Sequence, residues 1–159
     1  MINPDTLIDA WVTTLSGIPD LNAALGGNER ITGYKDAFPA QENLRRAILA
    51  QPSGSILVVF MGTDKVRMGN GGAWSFRHKF SFTVKAGGDA SYGAIWSAFV
   101  NGVPSAGTLP VLHTDIHPDC DGMDREGPSS QRSSLLISMD GETLDYFEFS
   151  ASLIERFAS

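Results

Sequence analysis

The 159-residue chain has the length of one ordinary domain, enough to bury roughly 70% of the surface its unfolded form exposes. With 42% hydrophobic and 19% charged residues it is globular in composition, and a net charge of −6 argues against a duplex-DNA binder, which needs clustered Lys and Arg for phosphates. A single cysteine excludes an internal disulfide, and no apolar run approaches the ~20 residues of a membrane helix.

The N-terminus lacks a basic segment followed by an apolar one, so a soluble protein made in the cytoplasm is the expectation. Nor does the chain repeat itself at solenoid periods.

The first element is a capped helix. Asn3 suits the N-cap, Pro4 the first helical position, and Asp5 the positive end of the dipole. Leu7, Ile8, Trp11, Val12 and Leu15 form one apolar face, and Gly17 with Pro19 ends it. Residues 20–40 carry only a weak strand signal around 30–34. After Pro39, Leu44, Ala47 and Ile48 share a helical face in AQENLRRAILA, which Pro52 stops.

SILVVFMG has six apolar residues at 56–61 between Gly54 and Gly62, and predicts a short strand covered on both faces. TDKVRMGNGG reads as a loop whose glycines permit positive φ. WSFRHKFSFTV alternates strictly: Trp74, Phe76, His78, Phe80, Phe82 and Val84 on one side, Ser75, Arg77, Lys79, Ser81 and Thr83 on the other, continued by Lys85. That pattern predicts a long antiparallel strand with one buried face and one wet, basic face.

SYGAIWSAFVNG returns to helical spacing, with Tyr92, Ile95, Trp96, Phe99 and Val100 on one side. SSLLISM and ETLDYFEFSASLI predict a hairpin through Asp140-Gly141, a dipeptide favoured in two-residue turns. Such a turn sets Met139 opposite Glu142, Ile137 opposite Leu144 and Leu135 opposite Tyr146. The apolar set then switches to Phe147, Phe149, Ala151 and Leu153, which calls for a bulge near Tyr146 or a change of covering element.

These elements make a single α+β domain over 1–159, an antiparallel-rich sheet of four or more strands with packed helices. Residues 103–131 hold four of the eight prolines, show no periodicity, and read as a long irregular loop.

HTDIHPDCDGMD, residues 113–124, concentrates His113, His117, Cys120 and four aspartates in that loop. His113, His117 and Cys120 with Asp115 or Asp119 are donors a transition metal accepts, but Pro118 argues against the helix that would bring both histidines to one face. Asp119, Asp121 and Asp124 with Gly122 suit calcium, yet the glycine comes too early for an EF-hand. Cys120 as a nucleophile needs a held base, and nearby aspartates disfavour its thiolate. An exposed polar loop is the plain alternative. His78, on the apolar strand face, reads as a core or interface histidine. Nucleophile-elbow, zincin, dinucleotide and phosphate-loop motifs are absent from the sequence.

The order of elements resembles that of tail terminator (tail completion) proteins of long-tailed bacteriophages. The likeness runs through the first helix, SILVVFMGT, WSFRHKFSFTVKA, YGAIWSAFVNGVP and YFEFSASLIER, and so covers most of 55–156. It implies a structural virion protein, neither an enzyme nor a cofactor binder, whose α+β subunit closes into a hexameric ring. Such a ring caps the tail tube and joins it to the head. The implied partners are further copies of the chain, tail tube protein and a head-side connector protein, with DNA passing the lumen unbound and no membrane. The implied place is the head–tail junction of the virion, after synthesis in the host cytoplasm.

An acidic lumen suits sliding DNA, since a cationic one would grip phosphates. No catalytic residues carry over from the family. By residue pattern, the interface candidates are Asp64, Lys65 and Arg67 in the segment 64–72, Arg77, Lys79 and Lys85 on the wet strand face, and the long acidic loop. Two rivals stand beside this expectation: another phage neck or head–tail connector subunit, and a metal-binding module or enzyme built on 113–124.

Overall fold

Asn3 caps the first helix as its sequence dictates, Oδ1 accepting the Asp5 amide at 3.0 Å ahead of Pro4. The computed structural model describes residues 1–27, 30–35, 41–68, 73–85, 92–102, 116–123, 129–136, 140–141 and 143–155. Within them the order is α1 (Pro4–Ser16), α2 (Pro19–Leu25), β1 (Ile31–Tyr34), α3 (Gln41–Ala50), β2 (Ser55–Met68), β3 (Ala73–Lys85), α4 (Tyr92–Gly102), β4 (Cys120–Met123), β5 (Ser129–Leu136) and β6 (Thr143–Glu155).

One mostly antiparallel, six-stranded sheet organises the α+β domain in the order β1-β2-β3-β6-β4, with β1 parallel to β2. β3 pairs with one edge of β6 from Phe76↔Glu155 to Val84↔Phe147. The other edge of β6 is shared: β4 meets it at Leu153 and Glu155, and β5 meets it from Ser150 to Thr143.

The stretch predicted to be covered on both faces, 56–61, is so only as far as Val59, where two layers of helix sandwich it; Met61 is exposed. Ile56 and Val58 join Leu7, Trp11, Phe82, Phe99 and Phe149 in the main core, under α1, α2 and α4. Trp11 meets Phe82 edge-on at 4.8 Å between ring centroids, a preferred aromatic geometry. Leu57 and Val59 face the other way, into a smaller cluster with Ile48 of α3 and Tyr146. The apolar set of β6 switches for the same reason. Tyr146 packs under α3, whereas Phe149, Ala151 and Leu153 join the main core, so the covering element changes while the register of β6 against β3 and β5 runs unbroken.

Four further expectations need correction. The stretch 63–68 is strand: β2 continues to Met68, held by pairing with β3 through Met68↔Ala73. Residues 20–25, left unassigned, belong to α2, whose start Pro19 supplies and whose end the positive-φ Gly26 marks. The last hairpin is out of the expected register by two residues, with Leu135 opposite Leu144, which is not the pairing a two-residue Asp140-Gly141 turn would give; Ile137, Met139 and Glu142 lie outside the described residues. Finally, 103–131 is not wholly irregular, since β4 and the start of β5 lie in it. Residues 103–115 fall outside the described part.

A bulge interrupts β2 between Phe60 and Gly62, where Gly62 adopts φ +131°, a region that penalises any Cβ. Beyond it β2 has lost β1, which reaches only Val59, and beyond Phe76 β3 has lost β6. The hairpin therefore continues past β1 as an arm that β6 still backs as far as Phe76, and that is two-stranded only at its tip, 66–68 with 73–75.

Candidate functional site

The arm and the sheet face beside it gather most of the sequence-predicted interface residues. Asp64 stands opposite Arg77 in the ladder, and its Oδ2 lies 3.4 Å from Arg77 Nη2 and 3.2 Å from Lys79 Nζ. The Lys79 hydrogen bond, with Arg77 assisting, holds the Asp64 carboxyl below its ordinary value. Lys65 follows on β2 and is exposed, with Arg67 two residues on. Two large apolar side chains are also turned to solvent here, Met61 at 58% and Trp74 at 49% exposure. Met61 lies at the bulge, where β6 still backs β3, and Trp74 on the two-stranded tip, which has little burial of its own to stabilise it.

Lys85 belongs elsewhere. Its Nζ donates to the carbonyls of Leu49 and Gln51 at 3.3 and 2.9 Å, at the C-terminal end of α3. That helix has no basic residue in its last turn, so a strand lysine supplies the cation its dipole favours. The wet face of β3 is likewise drier than its alternation predicts. Ser75, Ser81 and Thr83 are buried, and only Arg77 and Lys79 keep substantial access. Beside Lys79, the part of this face that α3 leaves uncovered forms an open concavity of about 540 Å³ against Met61, Ser81, Gln131, Glu148 and Ser150. Gln131 donates to Glu148 at 3.0 Å along its rim.

On the opposite face, where the arm leaves the body, His78 is fully buried. Its Nε2 lies 2.7 Å from Glu155 Oε2 and its Nδ1 lies 2.8 Å from Thr63 Oγ1. An ionised carboxylate only accepts, so Nε2 carries the proton toward Glu155 and, in the neutral ring, Nδ1 accepts from the Thr63 hydroxyl. Glu155 also accepts the Ile2 amide at 3.1 Å and has the Met1 ammonium 3.6 Å away. Burial alone would raise this carboxyl, but the hydrogen bonds from His78 and Ile2 and the ammonium outweigh it, and its pKa is lowered. A hydroxyl, an imidazole and a carboxylate in a row invite a nucleophile reading. Here, however, Thr63 sits within a ladder pair opposite His78, while the concavity lies on the other side of the sheet. The constellation instead joins β2, β3 and β6 at the root of the arm. Sequence spacing could not reveal it, because the partners of His78 lie 15 and 77 residues away.

In the 113–124 stretch, Cys120 is buried in the main core with Ile116, so that end of it is no exposed polar loop and the thiol is shielded. His117 accepts the Asp119 amide on Nδ1 at 3.1 Å, and its carbonyl accepts the Cys120 amide at 3.0 Å, closing a local turn. Among the described residues no three His, Cys, Asp or Glu side chains converge as a metal site. His113, Asp115 and Asp124 lie outside the described residues.

No protein-family model matches the chain, and no curated protein does. Among solved structures it is similar to a chain of the "Virion of native gene transfer agent (GTA) particle", with a TM-score of 0.40, 12% identity, and coverage of 89% of this chain and 90% of that one. A likeness of that degree assigns neither family nor function.

Proposed function

We propose that this chain is a structural virion subunit of the tail terminator kind, non-catalytic and free of cofactor. It closes into a ring that caps the tail tube and joins it to the head. The observation that carries the proposal is the arm: a hairpin end that outruns β1 at the bulge where Met61 is exposed, outruns β6 at the tip where Trp74 is exposed, and is rooted by a buried polar network. A monomer gains nothing from that construction, whereas a ring subunit gains a second, different contact surface, which a heterologous interface requires. The element order that resembles the family supports the same conclusion, as does a net charge of −6 for a protein lining a DNA passage.

Native mass spectrometry across concentration, with electron microscopy of the protein added to tail tubes, tests this. The expected result is a metal-free ring, hexameric by the family resemblance, seated on tube ends. Binding to a head-side ring in place of tube ends would reassign the chain to another neck position. A monomer that ignores tubes and carries stoichiometric zinc or calcium would overturn the proposal in favour of the 113–124 stretch.

A further inference from the structure

The charges of this chain are segregated. The arm end of the β2–β3 hairpin, 60–80, holds four of the twelve basic residues and one of the eighteen acidic ones, a net of +3 against −9 for the remainder. Two arms therefore repel each other, and each is attracted to the body of another copy. The sheet also ends in two unlike open edges. On one side, residues 60–68 of β2 have no strand neighbour beyond β3 among the described residues. At the other end β4 is the outermost strand, paired only with β6 among the described residues. Unpaired edges of this kind accept a further strand. Asp119, exposed, immediately precedes β4 and Asp121 is its second residue, while Lys65 and Arg67 lie on the open stretch of β2.

We infer that the arm of one copy adds its β2 edge to the β4 edge of a second copy, head to tail, with exposed Lys65 on the arm meeting exposed Asp119 beside β4. The inference rests on the self-association proposed above and names the two surfaces that make it. Each copy offers one arm and one β4 edge, so the contact repeats in one direction around an assembly.

Two variants test it: Lys65→Glu on the arm, and Asp119→Lys beside β4. Lys65 and Asp119 are exposed, and the Asp119 contact to His117 is made by its backbone amide, which a lysine keeps. Sedimentation velocity is expected to show wild-type self-association and about tenfold or greater weakening in each variant alone. An equimolar mixture is expected to recover it, because reversed arm meets reversed edge and native arm meets native edge. Wild-type association that neither variant weakens would overturn these surfaces and leave the ring proposal standing. Weakening without recovery on mixing would show that arm and edge do not face each other. A wild type that stays monomeric at all concentrations would overturn the inference, and tube capping would then decide the broader proposal separately.

Discussion

At His78 a fully buried imidazole is satisfied on both nitrogens by side chains, so its partners matter more than its own burial. Glu155→Ala removes the acceptor for Nε2–H and for the Ile2 amide, and is expected to cost about 1–3 kcal/mol in urea denaturation at neutral pH. The acid dependence has a definite sign. A lowered folded-state pKa means that the Glu155 contribution is complete above the ordinary value of 4.5 and is lost as pH falls through the folded value. The stability gap between wild type and Glu155→Gln should therefore narrow on acidification, and a gap that widens would contradict the network. Lys85→Met should destabilise by roughly 0.5–1 kcal/mol through the uncapped end of α3, with little effect on assembly. The sequence marks His78 by its place on an apolar face and Lys85 by its place on a polar one. In neither case does it reveal the partner, since each partner arrives through the tertiary fold.

Periodicity made α1, α3, β3 and α4 legible, because each sets an apolar face against one layer, although Trp74 and Val100, read onto the buried faces of β3 and α4, are exposed. The second half of β2 was not legible. Asp64, Lys65 and Arg67 read as a loop, and only pairing with β3 makes them strand, an outcome set by the neighbour and not by propensity. α2 escaped for a different reason, having seven residues and two buried leucines, too few to establish a helical period. β1 gives the sharpest test at this scale. A Cβ on Gly33 would stand 2.4 Å from Ile8 Cγ2, a methyl fixed by its branched side chain on the buried face of α1. Gly33→Ala is expected to cost about 1–3 kcal/mol in thermal or urea unfolding. Partial recovery in Ile8→Ala/Gly33→Ala would assign the loss to that contact.

For the molecule as a whole, the α+β class was legible from the mixture of two periods, and the net charge of −6 argued against a duplex-DNA binder. The division of that charge between hairpin and body was present in the sequence too, but it gains meaning only once residues 60–68 are known to stand at an open edge. Self-association driven by this division should weaken as salt rises, because the Debye length falls from about 10 Å at 0.1 M to about 3 Å at 1 M. Sedimentation velocity across that range measures it, and association that strengthens with salt would assign the contact to Met61 and Trp74 instead.

The bulge at Gly62 also sets the phase of everything beyond it. Before it, even-numbered β2 residues share the face of Phe80 and Phe82, as Phe60 and Val58 do. After it the odd-numbered ones do, so that Thr63 meets His78 while Asp64 meets Arg77. The arm thus behaves like a message read from a single punctuation mark. Losing one residue there would exchange its two faces wholesale and leave the strand before it untouched, and a compensating insertion further along would restore the original reading. Lineages of this fold could in that way turn the arm over in one step, trading one docking partner for another without disturbing the core.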